Sequence, residues 1–160
     1  MLEDFIDKLI AEVSPLYASM SELHGITHIK EVLYYTLEIS QSISSEEGFI
    51  KDCLLAAALH DCGRKNDGWD EQHAKDGIPI AKGFLEEYYP SSSVDKILEA
   101  ISVHTSALQK YPSKIAECLC DADRIRLAHY YGYDEKFFAT EKGKELARCQ
   151  FSSVGRASDL

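Results

Sequence analysis

Cys53 to Lys65 reads CLLAAALHDCGRK. An unbroken apolar run, Cys53 to Leu59, leads straight into His60 and Asp61, and Gly63 follows. Ser44 and Glu47 upstream have the S-x-x-E spacing of a capping box, so the run reads as the inner part of a helix that starts there and ends at His60. An imidazole and a carboxylate side by side at a helix end can turn toward one point. That pair suits a divalent metal taking mixed nitrogen and oxygen ligands.

Outward from this helix the periodicity is helical nearly throughout. Leu2, Phe5, Ile6, Leu9, Ile10 and Val13 make an amphipathic first helix that should stop before Pro15. Ile29, Val32, Leu33, Leu37 and Ile43 continue the pattern from near Thr27. After the turn chemistry of Cys62 to Gly68, a fourth helix is expected over about Asp70 to Tyr89, disturbed by Gly77 and Pro79. Pro90 to Ser93 ends it and caps a fifth, Val94 to about Thr105. Pro112 and Ser113 begin a sixth, which carries Asp121 and Asp123. A seventh runs from about Glu135 to Cys149. No strand alternation and no repeat appears. The expected fold is all-α, a compact single-domain bundle of six to eight helices over residues 1–150, with residues 151–160 a loosely ordered tail.

Composition narrows the function. The 160 residues carry 27 acidic and 17 basic side chains, a formal net charge of −10, which argues against nonspecific nucleic-acid binding because a phosphate backbone demands a basic face. A small phosphorylated substrate needs only a local cluster of cations. The N-terminus lacks a signal-peptide core and no run approaches a membrane span, so a cytoplasmic protein is expected. Five cysteines without a CxxC pair fit small buried apolar residues in a reducing compartment better than disulfides.

Histidines recur in local patterns: His24 and His28 in HGITHIKEV, His60 before Asp61, His73 in DEQHAKDG and His104 in AISVHTS, with Asp121 and Asp123 in LCDADRIRL. Taken in order, these motifs resemble the HD-domain superfamily of metal-dependent phosphohydrolases. Gly25-x-x-His28 followed by Val32 is similar to its first motif, His60-Asp61-x-Gly63-Arg64 to the second, and Asp121-Ala122-Asp123-Arg124 to the last. The resemblance spans roughly residues 20–130. It implies that His28, His60, Asp61 and Asp123 ligate one divalent ion (manganese, iron, nickel, cobalt, zinc or magnesium). Asp123 takes the last position by its Ala-Asp-Arg context. Asp121, about 200° away around a helix, would lie behind it. A metal-activated water is then the nucleophile, with Asp61 both ligand and orienter of that water.

His73 and His104 resemble positions that in dinuclear relatives contact a second metal or the phosphate, and elsewhere serve as acid–base groups. Arg64, Lys65 and Arg126 are the cations placed to bind phosphate. The implied activity is cleavage of a phosphate mono- or diester, with nucleotides among the candidate substrates, in a monomer or homodimer. Two alternatives stay open: a non-catalytic metal-stabilised binding or regulatory module, and a di-iron HD oxygenase or HD lyase. A cyclic-di-GMP enzyme is not expected, since Thr105 follows His104 and Gly132-Tyr133-Asp134 lacks the proline of a GYP motif. The aromatics at Tyr88-Tyr89, Tyr130 to Tyr133 and Phe137-Phe138 read as packing or dimer contacts before a base-stacking surface. Trp69, between His60-Asp61 and His73, reads as part of a pocket lid or as a residue packing its loop.

Overall fold

The structure, a computed structural model, describes residues 1–106 and 110–157, without the side chains of Leu127, His129, Tyr130, Tyr131 and residues 153–157. Seven α-helices and two short 3-10 turns make up the described elements, with no strand among them. In order they are α1 (Leu2–Val13), α2 (Ile26–Ile43), α3 (Glu47–Leu59), α4 (His73–Tyr88), α5 (Val94–Val103), α6 (Lys114–Tyr131) and α7 (Glu141–Ala157). The 3-10 turns are Ser14–Tyr17 and Glu135–Phe137. No described helix is long and apolar enough to cross a membrane.

The apolar run makes α3 the axis of the bundle. Every residue from Asp52 to Leu59 is buried, and α3 packs against α1, α2, α5 and α6 at once. A helix apolar all round has no solvent face to offer, so the others must surround it. Leu54, Leu55 and Leu59 are fully buried, each stabilising the fold by roughly 1.5–3 kcal/mol. Two polar contacts fix α3, one in its middle and one near its C-terminal end. Asp52 Oδ1 accepts from Ser93 N at the start of α5, 3.2 Å away. Tyr17 OH donates to Ala58 O at 2.8 Å, occupying a carbonyl that the helix end leaves free just before His60.

Several helix ends differ from the sequence expectation. Ser44 does not form a capping box: its Oγ accepts from Glu46 N at 3.0 Å, a turn of its own, and α3 has no side-chain cap. The seventh helix divides, because Asp134 caps only the short turn Glu135–Phe137 and the chain re-enters helix at Glu141. From there α7 continues past Cys149 to Ala157, and residues 158–160 lie outside the described residues. Ser113 does cap α6, its Oγ accepting from Ala116 N at 3.2 Å. Pro79 is held inside α4.

Gly63 is a close-approach glycine. A Cβ there would land on His73 O and Gly77 N, so only glycine lets the first turn of α4 lie against the chain just after Asp61. Gly143 plays the same part for α7, where a Cβ would land on Asp121 Oδ2.

Candidate metal centre

Four of the five helices deliver their polar groups at or near an end. His28 lies in the first turn of α2, and His60 ends α3 with Asp61 directly after it. His73 opens α4, His104 ends α5, and Asp123 lies midway along α6. His28, His60, Asp61, His73 and His104 are all buried; Asp123 keeps 24% of its side chain exposed.

Asp61 is the hub, and its two oxygens face different neighbours. Oδ2 lies 3.6 Å from His60 Nε2, 3.9 Å from His28 Nε2, 3.3 Å from His24 Nδ1 and 3.0 Å from Arg64 Nε. Oδ1 lies 3.1 Å from His73 Nε2 and 3.6 Å from His104 Nε2. Asp123 Oδ1 completes the first group, 3.2 Å from His28 Nε2 and 3.5 Å from His60 Nε2. The donor atoms of His28, His60 and Asp123 lie within 4.8 Å of one another, as do those of His60, Asp61 and His104, and of His24, His28 and Asp61.

Backbone carbonyls set the tautomers. His60 Nδ1 lies 2.8 Å from Ala57 O, His73 Nδ1 2.5 Å from Asp70 O and His104 Nδ1 2.7 Å from Ile101 O. A carbonyl only accepts, so each Nδ1 carries the hydrogen and, in the neutral ring, each Nε2 presents a lone pair inward. His60 Nε2 is fully buried and makes no hydrogen bond. His73 and His104 point their Nε2 atoms at each other across 3.1 Å. Lone pairs and carboxylate oxygens so gathered repel unless a proton or a cation lies among them. Donors bound to one ion at about 2.1 Å lie roughly 3.0–4.2 Å apart, and the imidazole–carboxylate distances among His28, His60, Asp61 and Asp123, 3.2–3.9 Å, fall in that range. The residues therefore fit a divalent ion.

The electrostatics tell the same story through protons. Burial penalises the His60 imidazolium, yet the Asp61 and Asp123 carboxylates beside it hold its pKa up at about 9. Burial also opposes the charge on Asp61, but the imidazoles of His60, His104, His24 and His73 around it keep it well below the usual carboxylate range. Asp123 is likewise held low against burial, by His28 and His60.

Asp121 is elsewhere. It is fully buried on the far side of α6 and accepts from Ala139 N at 2.8 Å, Thr140 N at 2.7 Å and Thr140 Oγ1 at 2.7 Å, tying α6 to the start of α7. Burial raises its pKa, with those donors pulling the other way. Arg124 also turns from the cluster, to Tyr111 OH, Ser106 O and Phe137 O. Arg126 stays beside it, its Nη1 3.3 Å from His28 Nδ1 and 3.3 Å from Leu23 O. Arg64 turns inward onto Asp61, whereas Lys65 is exposed and pairs with Asp76 at 2.9 Å. His24, four residues before His28, precedes α2 in a turn and reaches Asp61 from there; the HGxxH spacing is its only sequence signal. Among the aromatics, Tyr133 stacks on the buried Phe138 and Tyr89 packs with Phe84, while Tyr88 and Phe137 are half exposed.

Comparisons with known proteins bear on this cluster. The family model for the HD domain matches residues 25–128. No curated protein matches the chain. Among solved structures, the chain is similar to a crystal structure of a predicted HD superfamily hydrolase from an uncultured Thermotogales bacterium. Sequence identity is 25% and the TM-score 0.69, over 98% of this chain and 88% of that one.

Proposed function

We propose a function from one premise: the chain belongs to the HD-domain family. On that premise it is a metal-dependent phosphohydrolase that cleaves a phosphate mono- or diester by attack of water, with small nucleotides among its candidate substrates. One observation carries the reading: the Nε2 atoms of His28 and His60 and carboxylate oxygens of Asp61 and Asp123 converge in one cluster, partly open to solvent at Asp123.

Held by those four residues, a divalent ion supplies a Lewis acid for phosphoryl oxygens and lowers the pKa of water from 15.7 toward about 7. The remaining work belongs to the chain. Asp61 orients the attacking water through a carboxylate that Arg64 and His24 hold from one side. His73 and His104 face the other oxygen of Asp61 and hold the proton that attack releases, or return one to the leaving oxygen. Arg126, beside His28 and 3.5 Å from Glu31 Oε2, reaches phosphate oxygens by sharing or leaving that carboxylate. Lys65 reaches the phosphate only by leaving Asp76.

A second ion is the alternative use of the His73 and His104 nitrogens, in place of proton transfer. His73 Nε2, His104 Nε2 and Asp61 Oδ1 form their own converging set, with Asp61 shared between the two groups.

The test is metal analysis of purified protein together with phosphate release from a panel of mono- and diesters under manganese, iron, nickel, cobalt, zinc and magnesium. Bound metal with turnover is expected, and Asp61→Ala should lose both. Full activity in that variant would sink the assignment. Bound metal without turnover on any ester would instead identify a binding module, and bound iron with oxygen consumption an oxygenase.

A further inference from the structure

Trp69 is 91% exposed, although tryptophan is among the side chains most buried on average. It does not pack its loop onto the bundle. Nor does the loop leave it adrift, because both neighbouring residues are tied to the metal centre. Gly68 O, just before it, accepts from Arg64 Nη1 at 3.4 Å, and Arg64 Nε lies 3.0 Å from Asp61 Oδ2. Asp70 O, just after it, accepts from His73 Nδ1 at 2.5 Å, and His73 Nε2 lies 3.1 Å from Asp61 Oδ1. Trp69 is thus bracketed by two carbonyls, each one side chain away from the same carboxylate. Further bonds stiffen the bracket: Gly68 N donates to Asn66 Oδ1 at 2.8 Å, and Asp67 Oδ2 accepts from Ser21 N at 3.1 Å, joining this loop to the one that carries His24. The indole Nε1–H is held by Glu71 Oε1 at 3.1 Å, which fixes the ring edge and leaves its faces to solvent.

Resting on the phosphohydrolase reading above, we propose that Trp69 is a specificity-determining residue that stacks on the base of a small nucleotide whose phosphate lies at Asp61. A planar, partly polar base suits an exposed indole face, and every base has a π-face to offer. The formal charge of −10 favours one nucleotide over a polynucleotide.

Trp69 is the single tryptophan of the chain, so its fluorescence reports on this position alone. The metal-loaded protein is titrated with adenosine, guanosine, cytidine and uridine monophosphates and with ribose 5-phosphate. Quenching by one or more of the nucleotides and none by ribose 5-phosphate is expected. In parallel, Trp69→Ala should raise KM for the quenching nucleotide by roughly tenfold, a typical loss for one base stack, with kcat and metal content unchanged. Trp69→Phe should restore most of the affinity. No base-dependent quenching, or an unchanged KM in Trp69→Ala, overturns the proposal. So does a shift from dimer to monomer in Trp69→Ala without base-dependent quenching, which would make a second copy of the chain the occupant. Base-dependent quenching without hydrolysis of any ester would leave Trp69 as a base-binding residue while refuting the phosphohydrolase reading.

Discussion

At the scale of single residues, the centre is organised by which hydrogen each imidazole carries. Three carbonyls fix Nδ1–H on His60, His73 and His104, and Asp61 divides its oxygens between two groups of nitrogens. His60 is the most constrained, and its proton gives a test. The carboxylates of Asp61 and Asp123 outweigh burial and raise its pKa from 6.5 to about 9. A raised pKa means that the folded chain binds this proton more tightly than the unfolded chain. The stabilisation is therefore full below pH 6.5 and lost as pH rises through 9. In chelator-treated protein the melting temperature should fall over that window, and His60→Gln should lack this part of the fall. Identical pH profiles for the two proteins would refute the pairing. Metal loading near neutral pH should also release protons, because the ion and the imidazolium proton compete for Nε2.

Between elements, what matters is how closely one helix end can approach another. Gly63 brings α4 onto the chain after Asp61, and the Asp121–Thr140 clasp brings α7 onto α6. Helix existence was legible from apolar periodicity, and the order of the His and Asp motifs was legible because each occupies a short local pattern. Ends were less so. Ser44 meets the spacing of a capping box, yet bonds locally to Glu46 N. The Ala-Asp-Arg context of Asp123 sets it apart from Asp121, and the helix turn between them sends Asp121 to Thr140 and Asp123 to His28; what the sequence does not show is the Thr140 clasp itself. His24 and the bracketed Trp69 depend on loop paths that no periodicity encodes. The clasp can be tested directly. Thr140→Val keeps the shape but removes the hydroxyl that donates to a fully buried carboxylate and accepts from Gly143 N at 2.9 Å. A loss of about 1–3 kcal/mol in denaturant unfolding is expected, with metal content retained because Asp123 faces away. Wild-type stability in this variant would show that the clasp does not hold α7.

For the whole molecule, the proposed metal centre is a junction between helices. His28 comes from α2, His60 and Asp61 from the end of α3, and Asp123 from α6, so an ion held by these four would tie together helices distant in sequence. The chain's formal charge of −10 adds a negative field that favours the approach of cations. An ion that binds the folded chain and not the unfolded one stabilises by mass action, by about 2.7 kcal/mol at a free concentration one hundred times Kd. For a domain of this size that corresponds to a rise of roughly 5–10 °C in Tm. Because the ligands span the bundle, the whole transition should move as one, with no early phase left behind. Calorimetry across increasing concentrations of each of the six ions measures this. At least one ion should shift a single transition upward, and chelation should reverse the shift. Asp123→Ala removes one arm of the junction without touching the core, since that side chain is partly exposed. The variant should fold and lose the metal-dependent rise. An equal rise in Asp123→Ala, or no rise with any ion in the unmodified protein, would mean that these helices meet without metal and that the four-residue ligand set is wrong.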